Sequence, residues 1–311
     1  MEAPSINYIG PYKVIEEVGA GGLGRVFKAK DPDTGDIVAV KILYDKFQND
    51  KRILGLFHKE MLTVSSLKHK HIVEYRDASF QPPYCYIVSE FVDGLSLHQF
   101  MKKAGKTIPP LVALSICLDI LQGLDYLHLH DTFHSDLSSP NVIIGHNGKV
   151  FITDFGLAVT DEVDNIKGPM VGTPGYFSPE HVSVDPMVAA SDVYCAGLLL
   201  YEMLMGKKAA SASKSRSESV ANMKKIDFSG FGNSIMGPKA QIKKLVKKSL
   251  KYNQMFRYKS AEEMIVDIYK ILVKNNIQYT RYAVLQFMVD QGMTDYPLKE
   301  NAKQDIYRLK L

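Results

Sequence analysis

Three short stretches decide the fold of this chain: residues 134–141 (HSDLSSPN), residues 154–156 (DFG) and residues 172–180 (GTPGYFSPE). They lie in a loop-rich part of the sequence, with long helical patterns before and after it. The helical texture begins at Ser96, whereas the sequence from Tyr12 to Val92 has short β-branched runs separated by Gly, Pro and Asp turns. This change predicts a small β-rich lobe and a larger helical lobe.

One helix interrupts the predicted strands of the small lobe. Its apolar residues recur at steps of three and four between Lys51 and Leu67, which is the period of an amphipathic helix. Glu60 lies on this predicted helix among apolar neighbours, where an unpaired carboxylate is costly. We therefore expect a cationic partner for Glu60, and Lys41 at the end of the strand-like run VAVK is the natural candidate.

A glycine-rich motif lies between two strand-like runs near the N-terminus, in residues 19–26 (GAGGLGRV). Glycine is needed where backbone approaches phosphate oxygens closely, but the same spacing occurs in dinucleotide folds and in plain hairpin turns. A dinucleotide fold requires a helix at the third glycine, and residues 25–30 continue as a strand instead. The hairpin form is therefore favoured.

The order and spacing of all these elements resemble the protein kinase family, in its Ser/Thr branch as found in bacteria. The resemblance runs from about Tyr12 to Leu272. It includes residues 191–197 (SDVYCAG), which look like the family's central buried helix, and Arg257, which looks like the arginine that pairs with the glutamate of the S-P-E element. The resemblance implies an α+β, bilobal fold: an N-terminal extension (1–11), a kinase domain (12–273, with lobes 12–93 and 94–273) and a helical C-terminal extension (274–311).

The resemblance also implies the roles of individual residues. Asp136 is expected to accept or orient the proton of the substrate hydroxyl, and Lys41, paired with Glu60, to bind the α- and β-phosphates of ATP. Asn141 and Asp154 are expected to hold Mg²⁺, with Mn²⁺ as the alternative. A transferred phosphoryl group carries charge that cations must neutralise, and a carboxylate must align the attacking oxygen.

The nucleotide-binding set implied by the resemblance comes largely from the small lobe. Val26 and Ala39 of the small lobe and Ile143 of the large lobe are expected to enclose adenine. The backbone groups of Glu90 and Val92, in the segment that joins the lobes, are expected to form hydrogen bonds with the edge of adenine. The full set is Gly19, Gly21, Gly24, Val26, Ala39, Lys41, Glu90, Val92 and Ile143.

Two positions depart from the family pattern, and each loses a positive charge. Ser135 precedes Asp136 where most of the family has arginine, and Ser138 stands where Ser/Thr kinases usually have a lysine near the γ-phosphate. Losing one preorganised cation costs on the order of 3 kcal/mol in the transition state if nothing replaces it. We therefore expect slow catalysis, or another lysine that reaches the site.

These observations favour a protein kinase that transfers the γ-phosphoryl of ATP to Ser or Thr hydroxyls of protein substrates. Thr173 in the substrate-facing loop supports this branch. Residues 161–171 contain no Ser, Thr or Tyr, so activity is expected to be independent of activation-loop phosphorylation. Two alternatives stay open: a pseudokinase that binds nucleotide without efficient transfer, and a phosphotransferase acting on small molecules.

Composition fits a globular chain of 311 residues, with 46% apolar residues and a net charge of +4 that argues neither for nor against nucleic acid. No nucleic-acid partner, secretory signal or membrane span is expected, and the predicted location is the cytoplasm. Residues 239–251 carry lysines on one face of a predicted helix, which is either a solvated face or a docking surface for an acidic partner. The C-terminal extension is the other candidate docking element, with two short amphipathic helices expected there.

Overall fold

The computed structural model describes residues 6–155 except 82 and 106, and residues 172–298 except 184, 212, 214, 233–235 and 276–279. The side chains of residues 52, 56, 59, 60, 63, 64 and 280 also lie outside the description. The chain divides into two compact units, Met1–Asp93 and Gly94–Leu311. The first is rich in strands and the second in helices, so the predicted α+β class with a small β-rich lobe and a larger helical lobe is confirmed.

The small unit is built on a six-stranded sheet with the order β1-β2-β3-β4-β6-β5. Every strand pair in it is antiparallel, and short turns join those neighbours that are also consecutive in the chain. The elements are β1 (Tyr8–Ile9), β2 (Tyr12–Ala20), β3 (Gly24–Lys30), β4 (Ile37–Leu43), helix α1 (Lys51–Val64), β5 (Tyr75–Ser79) and β6 (Tyr86–Glu90).

The two faces of this sheet bury different sets of side chains. One face carries a cluster that includes Phe27, Val40 and Val88. On the other face, Ile87 packs in a cluster with Ile53 and Phe57 of α1. The alternation along β4 and β6 explains the separation, because successive side chains of a strand point to opposite faces.

Two boundaries in the small unit differ from the sequence-based expectation. Tyr8 and Ile9, placed in the N-terminal extension, form β1 and pair with β2, and Ile9 is fully buried. Helix α1 ends at Val64 rather than at Leu67, although the side chain of Leu67 is buried. A buried apolar residue just beyond a helix extends the apparent period, which is why the pattern alone overestimates the length.

The large unit combines a three-stranded sheet with eight helices in its described residues. The strands, in the order β7-β8-β9, are β7 (Gly94–Ser96), β8 (Val142–Gly145) and β9 (Val150–Ile152). The helices are α2 (Leu97–Ala104), α3 (Pro110–His128), α4 (Pro179–Ser183), α5 (Ala189–Met205), α6 (Arg216–Lys224), α7 (Gly237–Ser249), α8 (Ala261–Lys274) and α9 (Thr280–Asp290).

Helices α3 and α5 form the centre of the large unit and pack against each other. Both are apolar on most of their circumference, as expected for helices that are surrounded by protein. By length and composition α3 could cross a membrane, but 78% of its apolar window is buried inside the unit. This burial accounts for the apolar composition of the helix.

Helix α9 lies beyond the region of family resemblance but belongs to the core of the large unit. Val284, Leu285 and Met288 are fully buried, and α9 packs on α3. Arg281 donates from Nε to the carbonyl of Asn147, with 3.0 Å between the atoms. The first of the two helices expected in the C-terminal extension is therefore confirmed, and it packs on the large lobe. The second was expected from Leu298 to Leu309, and all of that stretch except Leu298 lies outside the described residues.

Two segments of unusual composition, residues 207–219 and residues 239–251, contribute helical turns to the large unit. The Ser-rich, basic composition of residues 207–219 predicts an exposed loop, but this segment ends in the first turn of α6, which begins at Arg216 and buries Ser219. On the basic helix α7, Lys243 donates to the carbonyl of Gly232 at 2.6 Å. Lys248 lies 3.8 Å from the centroid of the Tyr258 ring and 4.0 Å from a carboxylate oxygen of Glu263.

Candidate active site

The carboxylate of Asp136 is held in a fixed orientation by hydrogen bonds to both oxygens. Its Oδ1 accepts from the backbone N–H of Thr173 at 2.8 Å, and its Oδ2 accepts from Nδ2 of Asn141 at 3.2 Å. Burial raises the pKa of Asp136, and the charge of Asp154 adds to this increase. The hydrogen bonds from Thr173 and the proximity of His134 oppose it. Each oxygen keeps a lone pair, so this carboxylate can still accept a proton from a substrate hydroxyl.

The backbone around Asp136 is fixed by the buried carboxylate of Asp192 on α5. Asp192 accepts from the backbone N–H groups of His134 and Ser135, at 2.9 and 3.1 Å, and contacts Nε2 of His128 at 2.9 Å. Burial alone would raise the pKa of Asp192, but the hydrogen bonds from His128 and from the backbone N–H of His134 hold that pKa below its usual value. Asp192 thus stays ionised and anchors the loop to the core.

Asn141 and Asp154, the residues expected to hold a metal ion, have side-chain oxygens that could serve as ligands. Asn141 uses Nδ2 for both contacts with Asp136, 2.9 Å to its carbonyl and 3.2 Å to its carboxylate, and its amide oxygen accepts no hydrogen bond from the described residues. Asp154 follows β9 with a left-handed backbone, φ 60°. Hard cations such as Mg²⁺ prefer carboxylate and amide oxygens, so this donor set fits the expected ion. Gly156 of the DFG stretch lies outside the described residues.

The two serines at the positions of departure are buried. Ser138 is fully buried and Ser135 is 3% exposed, and the hydroxyl of each has no hydrogen-bond partner among the described residues. Within the described part of the large unit, no lysine or arginine forms an ion pair with Asp136. Lys208 instead donates to the carbonyl of Pro174 at 3.0 Å and lies 4.3 Å from the centroid of the Tyr176 ring.

The segment from Gly172 to Glu180 is attached to the large unit at both ends. Thr173 contacts Asp136 as described, and Glu180 pairs with the buried Arg257, whose Nη1 lies 3.0 Å from the carboxylate. The predicted pairing of these two residues is confirmed. Burial alone would raise the pKa of Glu180, but the bonds and charge of Arg257 hold it below its usual value.

In the small unit, the glycines of residues 19–24 have two different structural roles. A Cβ at Gly24 would collide with the backbone carbonyl of Ile42, because Gly24 lies directly beside β4 in the sheet. At Gly19, Gly21 and Gly22 a Cβ would meet nothing within 4 Å, and none of the three has a left-handed backbone. Only Gly24 is required by packing, so the open space over the other glycines fits the close approach of a phosphate.

The strand register places the other expected nucleotide contacts of the small unit on one face of the sheet. Lys41 pairs with Val26 on one side and with Ile87 on the other, and Ala39 is two residues from Lys41 on β4. Directly paired residues share a face, so these side chains lie on the face where Ile87 packs against α1. The helix that carries Glu60 therefore covers the face that carries Lys41, although the side chain of Glu60 lies outside the described residues.

The remaining expected nucleotide contacts are backbone groups at Glu90 and Val92 and the side chain of Ile143. The N–H of Glu90 donates to the carbonyl of Glu74 at 2.8 Å, while the N–H of Val92 has no partner among the described residues. In the large unit, Ile143 is half-buried on β8, between the buried Val142 and Ile144. Its side chain points to the opposite face from theirs and is available to a ligand.

Several residues that shape this site were missed by sequence reasoning. His181 contacts the carbonyl of Ser135, and the hydroxyl of Tyr176 bridges Ser139 and Glu202. Asp192 was noted only as part of a buried helix. A polar residue in an otherwise apolar helix was the one available signal, since a buried carboxylate requires hydrogen-bond donors.

The comparisons with known proteins agree with this geometry. The family model described as "Protein kinase domain" matches residues 12–269. A probable serine/threonine-protein kinase PknB of Lactococcus lactis is 30% identical over 263 residues, covering 83% of this chain and 41% of the relative. Serine/threonine-protein kinase PrkC of Bacillus subtilis is 27% identical over 287 residues, covering 92% and 44%. The chain thus spans about two fifths of the length of the curated relatives it matches.

A solved structure shows the same fold. The crystal structure of the Mycobacterium tuberculosis PknI kinase domain superposes with a TM-score of 0.69 at 20% identity, over 86% of this chain and all of that chain. The fold, the family match and the arrangement around Asp136 lead to the same conclusion. The chain belongs to the protein kinase family, and it resembles the bacterial Ser/Thr kinases of that family.

Proposed function

We propose that this chain is an active Ser/Thr protein kinase that transfers the γ-phosphoryl group of Mg-ATP to hydroxyl groups of protein substrates. The observation that carries the proposal is the fixed carboxylate of Asp136, with Asn141 and Thr173 on its two oxygens. A carboxylate held in this way aligns an attacking hydroxyl without reorganising during the reaction.

Mg-ATP, when bound, supplies the phosphoryl group and the cationic charge that the transfer requires. Asp136 orients the substrate hydroxyl and accepts its proton. The amide oxygen of Asn141 and the carboxylate of Asp154 would hold the metal, and Lys41 would neutralise the α- and β-phosphates. Residues 172–180 provide the backbone against which a peptide substrate is placed beside Asp136.

The pseudokinase alternative has a specific observation in its favour. Ser135 and Ser138 both lack the expected positive charge, and no described lysine or arginine of the large unit pairs with Asp136 in their place. Against it, the residues expected to bind phosphate and metal and to activate the hydroxyl are all present: Lys41, Glu60, Asp136, Asn141 and Asp154. We therefore propose a kinase of reduced turnover rather than a module that only binds nucleotide.

A transfer assay with labelled ATP separates the three functions. The protein is tested alone, with a generic protein substrate and with a panel of small-molecule alcohols. Label on the protein substrate supports the proposal, and label only on the alcohols identifies a small-molecule phosphotransferase. Nucleotide binding without any transfer identifies a pseudokinase. Lys41→Ala and Asp154→Ala serve as controls and should abolish transfer while the unfolding midpoint stays near that of the wild type.

We also propose that activity does not depend on phosphorylation of the activation loop. In relatives with arginine before the catalytic aspartate, a phosphorylated residue pairs with that arginine and orders the loop. Ser135 cannot form this contact, and residues 161–171 offer no hydroxyl to modify. Phosphatase treatment should therefore change the turnover little. A large loss that maps to Thr160 or Thr173 would refute this part of the proposal.

We also propose a cytoplasmic location and an acidic docking partner on α7. The three cysteines are buried free thiols, which fits a reducing compartment. Lys244 is exposed on α7 and Lys251 is exposed two residues beyond its end, whereas Lys243 and Lys248 have partners within the chain. Cell fractionation tests the location. Pull-down with Lys244→Glu and Lys251→Glu variants tests the docking surface.

A further inference from the structure

We propose that His181 is a positioning residue for phosphoryl transfer, and that it acts by holding the peptide group next to the catalytic aspartate. The inference rests on the proposed kinase function and adds to it the group that replaces the missing arginine. His181 lies on α4, immediately after the S-P-E element, and its Nε2 is 2.7 Å from the carbonyl oxygen of Ser135.

The contacts of the imidazole ring determine which nitrogen carries the hydrogen. Nδ1 lies 3.0 Å from the backbone nitrogen of Ser178 and 2.8 Å from its hydroxyl oxygen. A backbone N–H can only donate, so Nδ1 must accept and carry no hydrogen. The hydrogen of the neutral ring is therefore on Nε2, where it is donated to the carbonyl of Ser135.

The peptide group between Ser135 and Asp136 is consequently held from both sides. His181 binds its carbonyl, and Nδ1 of His134 accepts from its N–H at 3.2 Å. Ser135 itself has a left-handed backbone with φ 62°, which is unfavourable for a residue other than glycine and needs support from its surroundings. Its N–H is held by Asp192. Releasing the carbonyl would let this peptide rotate, and the Asp136 carboxylate would rotate with it.

His181 also joins the substrate-facing segment to the loop that carries Asp136. Residues 172–181 contact that loop through Thr173, through Tyr176 and through His181. In relatives with arginine at the position of Ser135, this connection depends on a phosphorylated residue. A histidine bound to a backbone carbonyl needs no modification, so His181 explains how the segment stays in place in a chain that has Ser135.

The test compares two substitutions that differ in the hydrogen-bond donor. His181→Gln keeps an N–H that can reach the carbonyl of Ser135, whereas His181→Leu fills similar space without a donor. Leaving a buried carbonyl unpaired should lower kcat about tenfold or more in the Leu variant, with a smaller change in KM for ATP. The Gln variant should retain most of the wild-type kcat. His130→Leu is the matched control and should be unchanged, because His130 is an exposed histidine just beyond α3 whose ring contacts Tyr126.

Equal kcat values for wild type and the Leu variant would overturn the proposal, as would equal losses in the Leu and Gln variants. Unfolding midpoints are measured for all variants. A loss of kcat in the Leu variant that persists at temperatures well below its midpoint supports positioning. A loss that disappears there indicates a purely structural role and overturns it.

A second measurement is independent of activity and so separates this inference from the proposed function. Nitrogen-15 NMR of the wild type, with His181 assigned by its absence in the Gln variant, reports which ring nitrogen carries the hydrogen. We expect the neutral Nε2–H form. The Nδ1–H form would overturn the inference even in an active enzyme. If the wild type transfers no phosphate, the proposed function fails while the assigned contact can still be correct.

Discussion

At the scale of single residues, the buried Ser138, two residues after Asp136, offers the clearest test of the missing positive charge. Ser138 is fully buried and its hydroxyl has no partner among the described residues. Ser138→Lys should raise kcat, by up to about a hundredfold, with a smaller effect on KM, because the added charge acts mainly on the transition state. Steady-state kinetics with a protein substrate measures both. An unchanged or lower kcat would show that the space or the charge is already provided by another group.

The buried pair of Glu180 and Arg257 gives a prediction that depends on pH. In the wild type the pKa of Glu180 is lowered, so its contribution to stability is present above the ordinary glutamate pKa and is lost as the pH falls through the lowered value. Arg257→Met leaves the carboxylate buried without its cation, which should cost about 3–5 kcal/mol at neutral pH. Burial should then raise the pKa of Glu180 above its ordinary value.

The sign of the pH effect therefore reverses for Glu180 in the variant. Its unfavourable charge is present above the raised pKa and disappears as the pH falls and the carboxyl becomes protonated. The difference in melting temperature between wild type and Arg257→Met should be larger at pH 8 than at pH 5, and Glu180→Gln in the same chain should recover part of it. An equal difference at both pH values would contradict this account of the pair.

At the scale of elements, the hairpin between β2 and β3 separates packing from ligand binding. Gly24→Ala places a Cβ against the backbone of Ile42 and should destabilise the protein by about 1–3 kcal/mol. Gly21→Ala meets no atom within 4 Å and should leave the unfolding midpoint unchanged, yet raise KM for ATP because the Cβ occupies the space for phosphate. Thermal unfolding and ATP titration check the pair of variants. Normal KM in Gly21→Ala would mean that phosphate does not approach this loop.

The elements also show where sequence reasoning is reliable. The apolar run of β4 and the period of α1 are both visible in the sequence, because β4 lies in a sheet that is covered on both faces and α1 buries one face. The end of α1 was misplaced, because an apolar residue just beyond a helix continues its period. The first turn of α6 was predicted as part of a loop, because that turn is polar. Helix α9 was predicted, but its packing on α3 was left open, since periodicity shows that a face is apolar and not what covers it.

At the scale of the whole molecule, the spacing of motifs identifies the family more securely than any one element does. The motifs predicted three site residues, Asp136, Asn141 and Asp154. The fold brings them together, with Asp136 and Asn141 in the segment before β8 and Asp154 just after β9. The contacts that orient them were not predictable. His181 and Asp192 are more than 40 residues from Asp136 in sequence, and their hydrogen bonds end on backbone groups, which leave no residue-specific pattern.

The proposed function depends most on the fixed carboxylate of Asp136, which orients the substrate hydroxyl and accepts its proton during phosphoryl transfer. Asp136→Asn keeps the size of the side chain but removes the group that accepts the proton. The most direct measurement is the rate of label transfer from ATP to a protein substrate by wild type and this variant, with nucleotide affinity measured in parallel. We predict transfer by the wild type, a rate reduced by about 10²–10⁴-fold in the variant, and similar nucleotide affinity in both. A variant that transfers phosphate at the wild-type rate would contradict the account.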